Sequence, residues 1–123
     1  MGEYIIEMKL GMVESRFADI VWENEPLTLR RLVILCAEEL NWKRTTTYTV
    51  LKKFCDRGIF ENNQRIVSAK ISKAEFHAIQ SEQFVEETFD GSLPAFVAAF
   101  TSRRTLTERE VNQLKRLVDS YGR

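Results

Sequence analysis

Hydroxyl and basic side chains concentrate in residues 42–57, the stretch of this chain whose residue types and spacing best suit contact with DNA. One face of a helix here would consist of Thr47, Val50, Leu51 and Phe54, at the i, i+3, i+4, i+7 spacing of a buried stripe. The opposite face would consist of Thr45, Thr49 and Lys52, with Tyr48 and Lys53 at its edges. Threonines can approach base edges and thymine methyl groups in a major groove, while lysines reach phosphates. Because any solvated helix face looks similar, the pattern alone leaves DNA contact and simple exposure as equal alternatives.

The segments on either side predict the elements that position this helix. A first helix is expected from about residue 11 to 23, where an Asn-Glu-Pro turn ends it. Thr28 is suited to cap a second helix over residues 29–40, and Gly58 is suited to end the third. After Gly58 the pattern becomes that of two short strands around a polar Asn-Asn-Gln turn. Three helices and a hairpin in this order predict a winged helix-turn-helix, with a recognition helix at about 44–57 and the hairpin as its wing.

The last part of the chain predicts three more helices with apolar stripes. Ser72 and Thr107 each begin a capping box, and Asp90-Gly91 separates the fourth helix from the fifth. A unit of this size buries little apolar surface alone, so its stripes must pack either on the winged helix of the same chain or on a second copy. The homodimer is favoured, because two recognition helices then match the half-sites of an inverted repeat. The candidate interface residues are Phe96, Phe100, Val111, Leu114 and Val118.

The sequence therefore predicts a mainly α protein with a small β-hairpin wing. Residues 1–72 are expected to form an N-terminal winged helix-turn-helix that binds DNA, and residues 73–123 a C-terminal helical dimerisation region. The formal net charge is zero, but residues 40–72 carry seven basic and two acidic side chains. Positive charge is thus concentrated where the recognition helix and wing are predicted. Arg65, at the wing tip, either contacts phosphate or belongs to an ordinary polar loop, and the sequence leaves these alternatives equal.

Other functional classes receive little support from the composition. The single histidine, His77, has no partner cysteine, carboxylate pair or glycine-rich loop at a recognisable spacing, so no enzyme, cofactor or metal site is expected. Cys36 and Cys55 do not form a C-x-x-C pair and are expected to be small buried residues in a reducing compartment. The acidic beginning of the chain does not resemble a signal peptide, and no apolar run approaches ~18 residues. These features predict a cytoplasmic protein without membrane contact.

Several blocks of the sequence resemble the penicillinase repressor family. They are E-S-R-F-A-D-I-V-W in the first helix, L-N-W-K-R-T-T-T-Y-T-V-L-K-K-F-C-D-R-G-I-F through the third, and L-T-E-R-E-V-N-Q-L in the last. The resemblance covers roughly residues 8–121. It implies a homodimeric winged-helix repressor that binds a double-stranded DNA operator. Members of the family silence β-lactamase, penicillin-binding-protein or copper-homeostasis genes until a signal releases them.

Matched position by position, the resemblance implies base readout by Thr45, Thr46, Tyr48 and Thr49, and phosphate contacts from Arg44, Lys52 and the wing near Arg65. The chain departs from the family in this region. Lys43 replaces a serine that often caps the recognition helix, and Tyr48 replaces a frequent basic residue. The wing is expected to be shorter, with Val67 and Ala69 in place of aromatic residues. The operator is therefore not expected to match that of other members.

The signal that relieves repression does not carry over from the resemblance. The antibiotic-sensing branch is cut at an Asn-Phe bond in the fifth helix, whereas the matching pair here is Ala99-Phe100. The copper-sensing branch has a C-terminal C-x-C…C-x-C metal site, but no cysteine follows Cys55. A sensor or protease partner of unknown identity stays open. The neutral net charge and the acidic first third of the chain also leave open the alternative that the winged helix is a protein–protein interaction module that does not bind DNA.

Overall fold

The structure, a computed structural model, describes residues 10–121, and their contacts group into two compact units. The first unit ends at Gln83 and the second begins at Phe84. This division falls inside the fourth helix, whereas the boundary predicted from the sequence, 72/73, lies at the start of that helix. Among the described residues, no helix combines the length and the apolar character that crossing a membrane requires.

The three predicted helices of the first unit are confirmed as α1 (Met12–Asn24), α2 (Leu29–Leu40) and α3 (Arg44–Asp56). Thr28 caps α2, because its Oγ1 accepts a hydrogen bond from the Arg31 N–H at 3.0 Å. Asn41 ends α2 in the left-handed conformation, at φ 58°. Gly58 follows the end of α3 at φ 77°, a conformation that glycine adopts without steric cost. These ends fix the short turn between α2 and α3.

A three-stranded antiparallel sheet of order β1-β3-β2 completes the winged helix. Its strands are β1 (Leu27–Thr28), β2 (Phe60–Asn63) and β3 (Ile66–Ala69). The predicted hairpin is confirmed as β2 and β3, but its turn is Gln64-Arg65 and not the predicted Asn-Asn-Gln, because Asn62 and Asn63 pair with β3. Both turn residues have positive φ, 52° and 67°, as a type I′ turn requires. The strand β1 was not predicted. It pairs Leu27 with Val67, so the segment before α2 is hydrogen-bonded to the wing.

An aromatic cluster fills the core of the first unit. The Phe17 ring of α1 lies 5.2 Å from the Phe54 ring of α3, and Phe54 stacks on Phe60 of β2 at 5.2 Å, all between ring centroids. These three rings are fully buried. Trp42 stacks on Phe17 at 5.6 Å, and Trp22 packs edge-on against Phe60 at 5.4 Å. Because burying one phenylalanine stabilises a fold by about 1.5–3 kcal/mol, this cluster holds α3 against α1 and the wing.

The helix α4 (Lys73–Phe89) begins at the predicted cap, where the Ser72 Oγ accepts from the Glu75 N–H at 3.0 Å. Its first turns belong to the first unit: Phe76 is buried and its ring centroid lies 5.5 Å from that of Trp22. The Trp22 indole N–H donates to the Ile71 carbonyl at 3.1 Å, so its polar atom is satisfied within the core.

The second unit contains the end of α4, α5 (Leu93–Arg103) and α6 (Glu108–Tyr121). Ser92 caps α5, since its Oγ accepts from the Ala95 N–H at 3.1 Å. The capping box of α6 is complete: the Thr107 Oγ1 accepts from the Glu110 N–H at 3.1 Å, and the Glu110 Oε1 accepts from the Thr107 N–H at 2.9 Å.

Candidate nucleic-acid interface

The helix α3 presents to solvent the face that the sequence predicts to contact DNA. Its buried residues are Thr47, Leu51 and Phe54, while Val50 is half-buried. Its exposed residues include Arg44, Thr45, Thr46, Tyr48, Thr49, Lys52 and Lys53. Because the buried stripe is packed into the aromatic core, the hydroxyl-bearing face is held outward. That face is available to a partner.

The hydroxyl groups on this face are not equivalent. Within residues 10–121, those of Thr45, Thr46 and Tyr48 make no hydrogen bond, so each keeps its donor and its acceptors. The Thr49 Oγ1 instead donates to the Thr45 carbonyl at 2.9 Å. Thr49 therefore offers its methyl group and oxygen lone pairs, whereas the other three also offer a hydroxyl proton.

The start of α3 carries positive potential without a side-chain cap. Lys43 occupies the N-cap position and makes no capping hydrogen bond, as expected for lysine. The first N–H groups of a helix lack intrahelical partners and lie at the positive end of its dipole. Arg44, the first helical residue, is exposed beside them. Together these groups can receive an anion such as a phosphate.

The two lysines of α3 have different surroundings. The Lys52 Nζ lies 2.9 Å from the Asp56 Oδ2, one turn along the same helix, and both side chains are well exposed. The Lys53 Nζ lies 3.0 Å from the Glu14 Oε2 of α1, so this pair joins α3 to α1. An exposed pair within one helix exchanges readily for a phosphate contact, whereas Lys53 must first leave another element.

Glu14 is stabilised in its charged form. The hydrogen bond from Lys53 lowers the pKa of the Glu14 carboxyl below its ordinary 4.5, and the Gly11 N–H and Arg57 act in the same direction against the opposing effect of burial. The carboxylate is therefore ionised at neutral pH, and Lys53 keeps its partner there.

The wing tip lies beside the start of α2. The Leu29 N–H, in the first turn of α2, donates to the Arg65 carbonyl at 2.9 Å. Arg65, Arg30 and Arg31 are all exposed, and none has an ion-pair partner within the described part of the chain. Arg65 was among the DNA contacts predicted from the sequence, whereas Arg30 and Arg31 were not. A basic pair in the first turn of a helix, where acidic residues are preferred, was the signal that could have revealed them.

Thr47 and Cys36 meet beneath α3 and are both fully buried. The Thr47 Oγ1 makes no hydrogen bond of ordinary geometry to the described residues. Burial raises the pKa of the Cys36 thiol from 9.0 to about 11, and a weak hydrogen bond with Thr47 lowers it in part. The thiol is therefore protonated at neutral pH. Within residues 10–121 no group of His, Cys, Asp and Glu side chains is arranged to hold a metal ion.

The predicted interface residues of the second unit fall into two groups. Phe100, Leu114 and Val118 are 43%, 41% and 63% exposed, whereas Phe96 and Val111 are half-buried. No residue of α5 or α6, both described throughout, is fully buried. Apolar exposure also includes Leu93, Val97, Leu117 and Tyr121, which the sequence analysis did not select. An open groove of about 310 Å³ lies along this surface, lined in part by Phe96, Phe100 and Leu114.

Ala99 and Phe100, the residues that the family resemblance aligns with its cleavage site, lie within the regular helix α5. Ala99 and Phe100 are both exposed, and the Ser102 Oγ donates to the Ala99 carbonyl at 2.7 Å. A protease binds an extended chain, so this part of α5 must unwind before a cut can occur there.

The family described as penicillinase repressor matches residues 10–120. The penicillinase repressor of Bacillus licheniformis is 16% identical over 117 residues, which cover 92% of this chain and 91% of that protein.

Proposed function

This chain belongs to the penicillinase repressor family of DNA-binding transcriptional repressors, which are not enzymes, and we propose that it acts in the cytoplasm as a homodimer on an inverted-repeat operator. In this proposal α3 enters the major groove. The bases are read by Thr45, Thr46, Tyr48 and Thr49, and phosphates are bound by Arg44, Lys52, Lys53 and Arg65.

The observation that carries this proposal is the two-sided character of α3. Its inner stripe is locked into a core of aromatic rings, and its outer face offers short hydroxyl side chains beside basic ones. Burying this polar face within the protein itself would contribute little stabilising free energy. Its side chains match the donors, acceptors and methyl groups of a major groove. Free hydroxyls at Thr45, Thr46 and Tyr48 support direct base readout.

Selection of genomic fragments by the purified protein, at near-physiological salt, tests the proposal. We expect enrichment of a short inverted repeat upstream of genes, since a two-fold symmetric dimer requires two half-sites. If the folded protein enriches no sequence, DNA recognition is wrong, and the protein–protein interaction module becomes the better interpretation. A pulldown of partners would then follow.

Substitutions on α3 separate base readout from phosphate contact. Thr45→Ala should relax base preference, because a phosphate contact cannot supply it. Arg44→Ala should weaken binding to all sequences and make the slope of log K against log salt less steep by about 1.8, because the dimer loses two phosphate contacts. Arg103→Ala, the same change on α5, is the matched control and should leave both quantities unaltered. An Arg44 variant that behaves like the Arg103 variant would contradict the placement of α3.

The exposed apolar surface of α5 and α6 supports the homodimer. A charge at Leu114 should break the dimer, because an apolar interface excludes an unpaired carboxylate. We expect Leu114→Glu to sediment as a monomer, whereas Asn112→Glu, which adds the same charge to the opposite face of α6, should remain dimeric. Monomeric wild-type protein at high concentration would contradict this part of the proposal.

A further inference from the structure

Three exposed arginines lie on adjoining backbone segments at the junction between α2 and the wing. Arg30 and Arg31 lie in the first turn of α2, and Arg65 lies in the wing turn. The hydrogen bond from the Leu29 N–H to the Arg65 carbonyl, 2.9 Å long, places the Arg65 backbone next to that first turn. All three side chains are exposed.

Nothing in the described part of the chain neutralises these charges. The nearby carboxylate of Glu25 accepts from the Ala69 N–H at 2.9 Å, at the other end of the β1–β3 pairing. The first turn of α2 has no acidic residue. Glu38, the nearest acid along the exposed side of α2, lies about 10 Å further along the helix axis than Arg31.

The position of Arg30 and Arg31 is unfavourable for folding. Cations at the amino-terminal end of a helix oppose its dipole, and a third cation from the wing adds repulsion. The Leu29 and Arg31 N–H groups at this helix end already donate to the Arg65 carbonyl and the Thr28 Oγ1, so neither of them is free to bind an anion. A cluster that lowers stability and has no internal partner is suited to an external anion.

We propose that Arg30, Arg31 and Arg65 form a phosphate-binding surface that binds the DNA backbone beside the groove entered by α3. The inference rests on the proposed function and adds an anchoring site to it. One guanidinium group can donate two hydrogen bonds to the oxygens of a phosphate. Three arginines can therefore bind consecutive phosphates of one strand. The surface positions α3 and carries no base preference, because phosphates are the same in every sequence.

The test compares binding to the selected operator and to a scrambled duplex of equal length, over about 50–200 mM salt. The variants are Arg30→Gln, Arg31→Gln and the triple Arg30→Gln/Arg31→Gln/Arg65→Gln. Each lost contact should make the salt dependence shallower by about 0.9; because a dimer loses two contacts per substituted position, each single variant should change the slope by about 1.8 and the triple variant by about 5.4. The ratio of operator to scrambled affinity should stay constant. The matched control is Arg103→Gln, which should leave the slope unchanged.

Thermal unfolding of the same variants checks that a change in the salt slope comes from altered DNA binding and not from loss of the folded state. We expect the triple variant to unfold at a temperature equal to or above that of the wild type, since it removes repelling charges. If the wild type binds the operator and both Arg30→Gln and Arg31→Gln keep the wild-type slope, this inference alone is overturned. If the wild type binds neither duplex, the proposed function itself fails, and this surface fails with it.

Discussion

Breaking the ion pair between Glu14 and Lys53 tests whether this pair stabilises the packing of α3 against α1. We expect Glu14→Gln and Lys53→Met each to lower the free energy of unfolding, and the double variant to lose less than the sum of the two. The difference between the sum of the two single losses and the loss of the double variant is the coupling free energy of the two side chains. Both substitutions keep side-chain length, so the packing of their aliphatic parts is preserved.

The expected coupling free energy depends on how far the Glu14 and Lys53 side chains are exposed to water. The Glu14 and Lys53 side chains are 26% and 50% exposed, with 3.0 Å between the charged atoms. Water screens such a pair only in part, so we expect a coupling free energy of about 0.5–1 kcal/mol, at the upper end for surface pairs. The pair of Lys52 and Asp56 is the matched control. Because those side chains are 76% and 64% exposed and lie in one helix, their coupling should be smaller.

The pH dependence of the coupling has a definite sign. The pKa of Glu14 is lowered in the folded protein, mainly by Lys53, so folding favours the ionised carboxylate. Its stabilisation is fully present above the unfolded pKa, near 4.5, and disappears as the pH falls through the lower folded value. Urea unfolding at neutral pH and in acid measures both regimes. A coupling that is absent at neutral pH, or that persists undiminished below the folded pKa, would refute the reasoning.

Three further changes test separate features of the first unit. Lys43→Ser should raise the free energy of unfolding in urea by about 1 kcal/mol, because serine can cap α3, whereas Lys43→Ala should gain much less. Thr47→Val should also stabilise, by about 1 kcal/mol, since it removes a buried hydroxyl without an ordinary hydrogen bond; a lower thermal midpoint would mean that Cys36 satisfies that hydroxyl. In the native protein Cys36 should resist a thiol reagent, because it is buried and its pKa is about 11, while the partly exposed Cys55 reacts faster. Equal rates for the two thiols would contradict the burial of Cys36.

The helix ends were predictable because each depends on one or two neighbouring residues. Thr28, Ser92 and Thr107 cap their helices as short polar side chains do, and the complete box at Thr107 needed only a glutamate three residues later. The strand β1 escaped prediction for the opposite reason. Two residues have no measurable period, and Leu27 is extended because Val67, far along the chain, supplies its partner.

The candidate site was predictable where it depends on one helix and not where it depends on two elements. The helical period identified the exposed hydroxyl face of α3. It also allows the pair of Lys52 and Asp56 to be recognised, since they are four residues apart. The partner of Lys53 was not predictable, because Glu14 precedes it by 39 positions. Arg30 and Arg31 were overlooked because they belong to an acidic segment, and their unpaired state emerges only when the wing is placed beside α2.

The two tryptophans of the chain, Trp22 and Trp42, both pack against phenylalanine rings of the first unit. Their fluorescence emission therefore reports the packing of that unit alone, whereas far-ultraviolet ellipticity sums the helices of both. Recording the two signals during one denaturant titration distinguishes joint from independent melting of the units without any label. Under the proposed dimerisation through the second unit, raising the protein concentration should move the ellipticity transition, and the emission transition will follow only if the two units melt as one.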